Sequence, residues 1–249
     1  MRPSSGGRPC VVLVHGAWAS AWVWDPITAP LADAGYDVVA VTLPDSTGPE
    51  SESGLESQVQ AVLDASSSAG GRLFLVGHSG GGIVVTVAAD RMADRVAGVV
   101  FVAGIMLPSG VGFDVLRAEL GTEDELMGAA PFLERALDGR GTVVPPDAAV
   151  AVLFQRADPA AAIGAARRLQ PQWDAGLDVV PVWRPEGFGA LRRLYIEATD
   201  DRDIPLAVQR HMQRRTPGAT VVTLDADHAP QLSAPDGLVS ALLGFFDAV

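Results

Sequence analysis

The chain has 249 residues, 48% of them hydrophobic and 19% charged, with 27 Gly, 18 Pro and one Cys, which describes one globular domain with room for an insertion. No apolar run approaches the roughly 20 residues needed to cross a bilayer, and 30 acidic against 18 basic side chains give a net charge of −12 that repels nucleic-acid phosphates and anionic headgroups. Cys10 alone makes neither a disulfide within the chain nor a multi-thiolate metal site. Every basic residue is Arg and there is no Asn, so Walker-type phosphate loops, Schiff-base lysines, Ser-Lys dyads and Cys-His-Asn triads are excluded.

Residues 1–9 are mostly Arg, Ser, Gly and Pro, without an apolar stretch of signal-peptide length, and are expected to be a flexible terminus of a cytoplasmic protein. Runs rich in Val, Leu, Ile and Phe then alternate with stretches at helical spacing. The pattern predicts a buried strand over 10–14, a helix over 24–34, a strand over 37–43, a helix over 55–69, a strand over 73–77, an apolar helix over 81–92 and a strand over 96–102. A long interval without a clear buried strand follows, with helical spacing at 114–120, 123–137, 147–154 and 159–169 and turn signals at Asp138-Gly139 and Pro145-Pro146. Strands over 194–199 and 219–224 and helices over 205–215 and 235–246 complete the chain. Such alternation specifies a doubly wound, mostly parallel α/β sheet. Residues 10–104 and 190–249 form its core, and 105–189 are expected to be a helical cap over the carboxyl ends of the strands.

The motif Gly77-His78-Ser79-Gly80-Gly81 falls directly after a strand and before an apolar helix, the setting of a nucleophile elbow. There the serine is strained and exposed above the sheet, and the flanking glycines let strand and helix approach closely. Serine needs a base to take its proton. Four histidines are available. His78 adjoins the serine and points away from it, His211 lies in an Arg-rich helix, and His15 ends the first strand and orders the loop after it. His228, in the loop after the last strand, is the base. The loop before the 205–215 helix supplies three acids to orient it, Asp200, Asp201 and Asp203, and spacing alone does not choose among them. The Gly80 amide and the Ala17 amide of His15-Gly16-Ala17-Trp18 are the oxyanion donors.

Beyond these roles, His15-Gly16-Ala17-Trp18-Ala19-Ser20-Ala21-Trp22-Val23-Trp24, the elbow, Phe188-Gly189-Ala190-Leu191-Arg192-Arg193-Leu194-Tyr195-Ile196, Thr199-Asp200-Asp201-Arg202-Asp203-Ile204-Pro205 and Asp227-His228 resemble the α/β-hydrolase branch that contains plant methylesterases and hydroxynitrile lyases. The resemblance covers most of the chain and is weakest in the cap. It implies that the acid lies three residues before the Ile204-Pro205 pair, at Asp201, with Asp200 as runner-up. Lyases of that branch carry Lys after the catalytic His and Thr in the oxyanion loop; here these positions are Ala229 and Gly16, which favours ester hydrolysis.

Met106, Leu107, Phe113, Leu116, Met127, Phe132, Phe154, Trp173 and Trp183 crowd the insertion and its margins. Most form its own core, and the remainder argue for an apolar or aromatic acyl group. Arg156, Arg167, Arg168 and Arg184 are candidates for pairing with a substrate carboxylate, though solvated helix faces are the plainer reading. Gly16, Trp18, His78, Trp173 and Ala229 are the positions expected to border the substrate, and the extra glycines of Gly80-Gly81-Gly82 are expected either to enlarge the acyl side or to be neutral. The expectation is a cofactor-independent serine hydrolase with no metal, acting on a small methyl or aryl ester as its only partner, with a homodimer as the default assembly. Lyase chemistry with the same Ser and His, a biosynthetic thioesterase and a small-molecule binding protein are the rivals.

Overall fold

Burial at every position of Cys-Val-Val-Leu-Val makes Cys10–Val14 (β1) a strand covered on both faces. The computed structural model, which describes residues 7–44, 50–121, 128–177 and 179–248, builds a six-stranded sheet around it. In chain order follow α1 (Asp25–Asp33), β2 (Asp37–Val41), α2 (Leu55–Ser66), β3 (Leu73–His78), α3 (Gly81–Arg91) and β4 (Val96–Val102). The insertion holds α4 (Phe113–Ala118), β5 (Glu134–Ala136), β6 (Gly141–Val143), α5 (Pro146–Val152), α6 (Pro159–Ala166), β7 (Gln172–Trp173) and α7 (Asp174–Leu177). The chain closes with β8 (Arg193–Ala198), α8 (Leu206–Arg215), β9 (Ala219–Leu224), α9 (Pro230–Ser233) and α10 (Pro235–Asp247).

Strand order is β2-β1-β3-β4-β8-β9, and each neighbouring pair is parallel. The chain steps outward from β1 to β2, crosses back to β3 and continues the other way, so its winding reverses between β1 and β3. At such a reversal the carboxyl ends of the strands open a ligand-binding crevice. Val14 pairs with Gly77 at that edge, so the loops that begin at His15 and Ser79 leave the sheet side by side. Alternation along β1 feeds two cores: Cys10, Val12 and Val14 face the layer of α2, α3 and α8, while Val11 and Leu13 face α1 and α10. Each fully buried Leu or Ile in these layers stabilises the fold by about 1.5–3 kcal/mol.

The insertion differs from its sequence reading in one respect. Helices stand at α4, α5 and α6, but the expected helix over 123–137 does not. Residues 123–127 lie outside the described residues, Ala130–Phe132 is a single 3-10 turn, and Glu134–Ala136 is a strand. This strand pairs antiparallel with β6, and β6 with β7. Strands of two or three residues carry too few side chains to display a period of two. The Asp138-Gly139 turn does fall between β5 and β6, where Leu137, Asp138 and Gly139 all have positive φ. Of the expected flexible terminus, residues 1–6 lie outside the described residues; Arg8 Nε donates to the Gly35 carbonyl at 3.1 Å. Among the described residues no helix is long and apolar enough to cross a membrane, and no group of three His, Cys, Asp or Glu side chains is arranged to hold a metal ion.

Candidate active site

Ser79 joins β3 to α3 with φ +51, a left-handed conformation in a non-glycine residue, which costs about 1–3 kcal/mol. Three backbone hydrogen bonds hold it there: its amide donates to Val102 O, and its carbonyl accepts from Gly82 N at 3.0 Å and Ile105 N at 2.8 Å. The flanking glycines are needed because chain meets chain. A Cβ on Gly77 would lie 2.6 Å from Gly81 O, and one on Gly81 2.5 Å from His15 O. Gly82 serves the same end, since its Cβ would lie 2.6 Å from Ile105 O; it abuts backbone and does not enlarge the pocket.

His228 arrives on the loop after β9, 4% exposed. Its Nδ1 stands 2.9 Å from Asp201 Oδ2 and 3.1 Å from Oδ1. Asp201 Oδ1 also accepts the Asp203 and Ile204 amides at 2.8 Å each, which fixes the carboxylate at the start of the turn into α8. Asp200 turns outward to Arg156 Nη1 at 3.4 Å, and Asp203 Oδ2 lies 3.5 Å from Nε2, the other ring nitrogen of His228. Among the described residues Ser79 Oγ makes no hydrogen bond to His228. Burial alone would lower the His228 imidazole, yet the carboxylates of Asp201 and Asp203, the Asp201 hydrogen bond and Asp227 push it up to about 9. Burial pushes the Asp201 carboxyl up as well, against the pull of His228.

His78 and His15 hydrogen-bond to the backbone of the loops around the serine. His78 Nε2 donates to His228 O at 2.7 Å; burial and then the neighbouring His228 pull its imidazole down to about 3, so it stays neutral. His15, lowered to about 4 by burial, sits between Gly16 O at 2.8 Å from Nδ1 and the Leu43 amide, which donates to Nε2 at 2.9 Å. These contacts fix the loop that presents Gly16 and Ala17. A Cβ on Gly16 would lie 2.6 Å from Ser79 Cβ, and one on Gly80 would lie 3.9 Å from the Ala17 amide. The Ala17 and Gly80 amides therefore border the same space above Ser79, and neither donates to another backbone group among the described residues.

That space opens into a chamber of about 380 Å³. Leu43, Ile83, Ile105, Ile204, Phe113 and Leu133 form much of its apolar wall, with Gln58, Gln172, Asp114, Arg117 and Asp203 as polar points. Trp18 ties the loop after β1 to the insertion: its amide donates to Gln172 Oε1 at 2.8 Å, its Nε1 to Thr142 Oγ1 at 3.1 Å, and its carbonyl accepts from Gln170 N at 2.8 Å.

Gly16 and Trp18 line the chamber; His78, Trp173 and Ala229 do not. His78 lies behind His228, Trp173 is covered by the Arg140 guanidinium 5.2 Å from its ring, and Ala229 belongs to the apolar cluster under α5 and α6. Of the crowded insertion residues, Phe113 faces the chamber, while Met106, Leu107, Leu116 and Phe154 are core, Phe132 is exposed and Met127 lies outside the described residues. Arg156, Arg168 and Arg184 pair with acids of the protein itself, Arg156 with Asp200 and Asp225, Arg168 with Asp25 and Arg184 with Asp90. The sequence reading missed Gln209, wholly buried on α8, whose Nε2 donates to Ile204 O at 2.8 Å and reaches Asp201 Oδ2 at 3.3 Å. A glutamine on the apolar face of an amphipathic helix was the signal for it.

A profile of the alpha/beta hydrolase family matches residues 11–241. The chain is 31% identical to a pyrethroid hydrolase of Sphingobium wenxiniae over 96% of this chain and 88% of that one, and 31% identical to methylesterase 7 of Arabidopsis thaliana over 95% of each. It superposes on a crystal structure of a pyrethroid hydrolase from Sphingobium faniae with a TM-score of 0.82 at 28% identity, covering 96% of this chain and 98% of the other. With its winding, its elbow and these matches taken together, the chain belongs to the alpha/beta hydrolase family.

Proposed function

We propose that this chain is a cofactor-independent serine hydrolase that cleaves a small, largely apolar or aromatic carboxylic ester, such as a methyl or aryl ester. The observation that carries the reading is the strained Ser79 beside two amides, Ala17 and Gly80, with a buried Asp201–His228 pair on the adjoining loops. Ser79 Oγ attacks the ester carbonyl while His228 Nε2 takes its proton, and the Ala17 and Gly80 amides stabilise the oxyanion. Asp201 holds the Nδ1–H tautomer and stabilises the imidazolium as it forms. His228 then protonates the departing alkoxide, and water, deprotonated by the same nitrogen, cleaves the acyl-enzyme. The α3 amino terminus, directly after Gly80, adds its positive end to the oxyanion site.

Ester hydrolysis agrees with the names of the relatives, and the apolar chamber supports a substrate with little charge. Ala229 and Gly16 provide neither the Lys nor the Thr side chain that marks the lyase pattern. The test is intact mass after exposure to a fluorophosphonate, on wild type, Ser79→Ala and His228→Ala. One adduct on wild type, absent from Ser79→Ala and slow on His228→Ala, supports the reading. A folded wild type that takes no adduct at any pH overturns it.

A further inference from the structure

The Nε2 edge of His228, which must receive the Ser79 proton, already faces a carboxylate. Asp203 Oδ2 lies 3.5 Å from it, and Asp203 shares the chamber wall with Ser79. The second oxygen, Oδ1, accepts the Ala129 amide of the insertion at 2.8 Å. Gly128, with φ +53, brings that segment so close that a Cβ there would collide with Asp203 O and Oδ1. The carboxylate is thus fixed from the insertion side by a backbone donor, with its other oxygen turned to the imidazole.

Asp201 accepts at Nδ1, and Asp203 stands at ion-pair distance from Nε2, so each edge of the ring faces a carboxylate and the doubly protonated, cationic ring is the form that both attract. The other titratable groups around His228 do not offset this. His78, packed 4.9 Å away ring to ring, is neutral, and Asp227 on the same loop is a further acid that raises the imidazole. Arg156 meets Asp227 through its backbone amide only, while its guanidinium pairs with Asp200 and Asp225. Ser79 Oγ makes no hydrogen bond to the ring among the described residues.

On the reading of His228 as the base for Ser79, we propose that Asp203 is a positioning residue that competes with Ser79 for Nε2 and holds His228 as the imidazolium in the resting enzyme. Activation then requires the Nε2 proton to pass to solvent and the Asp203 carboxylate to give up its place. The vacated nitrogen accepts the Ser79 proton as Oγ forms its bond to the carbonyl carbon. Because Ala129 holds the other oxygen, movement of the 128–130 segment on ester binding is coupled to the release of the ring.

The test compares wild type with Asp203→Asn, whose amide oxygen still accepts the Ala129 N–H while its charge is gone. Two quantities are followed from pH 5 to 10: the rate of Ser79 phosphonylation and the titration of His228 by nitrogen-15 NMR of labelled histidine. In Asp203→Asn both midpoints are expected to move down together by about one unit, which raises labelling about tenfold at pH values well below the variant's midpoint and progressively less above it. A residue that merely supports the fold would lower the rate without moving either midpoint. If Asp203→Asn does not fold, Asp203→Ala is measured for the same shift. Coincident midpoints in wild type and variant overturn the proposal and leave the serine reading standing. A folded wild type without an adduct at any pH overturns that reading and this proposal with it.

Discussion

His78 Nε2 donates to the His228 carbonyl at 2.7 Å, so the residue next to the elbow serine fixes the loop that carries the His228 imidazole. The bond is buried and bridges the ends of β3 and β9, two strands that are not neighbours in the sheet. Replacing His78 with Ala leaves that carbonyl without a donor, an expected loss of about 1–3 kcal/mol readable as a lower Tm. Displacement of the loop adds a fall in kcat of about tenfold or more. Wild-type Tm and kcat in the variant would show that the loop is held by other contacts.

Gly16 and Ser79 leave no room for a side chain between them, since a Cβ on Gly16 would lie 2.6 Å from Ser79 Cβ. The elbow is already strained and pinned by backbone hydrogen bonds, so the serine has nowhere to move. Gly16→Thr is expected to slow Ser79 phosphonylation by about 100-fold and destabilise the protein by about 1–3 kcal/mol. Labelling kinetics and thermal unfolding measure the two separately.

Asp201 and Asp200 are adjacent in sequence and opposite in circumstance. Asp201 is buried on Nδ1 of His228, whereas Asp200 forms a part-exposed ion pair with Arg156. Asp201→Asn is expected to lower kcat by about 10³–10⁴-fold through the wrong imidazole tautomer. Asp200→Asn is expected to stay within about twofold, since exposed pairs contribute at most about 1 kcal/mol. Equal losses in both variants would contradict the assignment.

The pH dependence follows from His228 being pushed up to about 9, first against burial and then by its acidic neighbours. An imidazole raised in the folded state from about 6.5 contributes stability that is complete below pH 6.5 and is lost as pH climbs through 9. Activity runs the other way, because only the deprotonated ring is a base. From about pH 7 to 8, kcat/KM for a neutral ester is expected to rise about tenfold, then more slowly through pH 9 before it levels off. A profile flat from pH 6 upward contradicts this ordering.

The chamber should also discriminate by charge. Asp203 is a carboxylate in its wall, and Arg117 of the same lining has Asp114 at 3.5 Å. An ester bearing a carboxylate on its acyl chain meets like charge near the reacting carbon. Its kcat/KM is expected to be at least about tenfold below that of the neutral ester of equal length, measured with a matched pair of nitrophenyl esters. Equal rates for the pair would mean that the acyl chain lies away from Asp203.

The core strands, the elbow and His228 were legible because their signals are local. Continuous apolar runs mark strands covered on both faces, and Gly-x-Ser-x-Gly between strand and helix has few other uses. The β5–β7 sheet was not legible, because three strands of two or three residues are specified by pairing with one another and by Trp18 contacts across the chain. Gln209 was hidden for a similar reason, since its partners Ala198, Asp201 and Ile204 gather only when β8 and α8 pack together.

By itself, the sequence determined the alternation of strands and helices, the nucleophile and base candidates, and the exclusion of lysine and multi-thiolate chemistry, all of which depend on residue type and near neighbours. Spacing left three acids within four residues equivalent, and only the family resemblance pointed to Asp201. The tertiary structure shows what each one meets, placing Asp200 against Arg156, Asp201 on Nδ1 and Asp203 near Nε2. The physical reason is that the turn from β8 into α8 aims successive side chains in different directions. What each carboxylate does is set by the charge and burial it meets there, which no local spacing encodes.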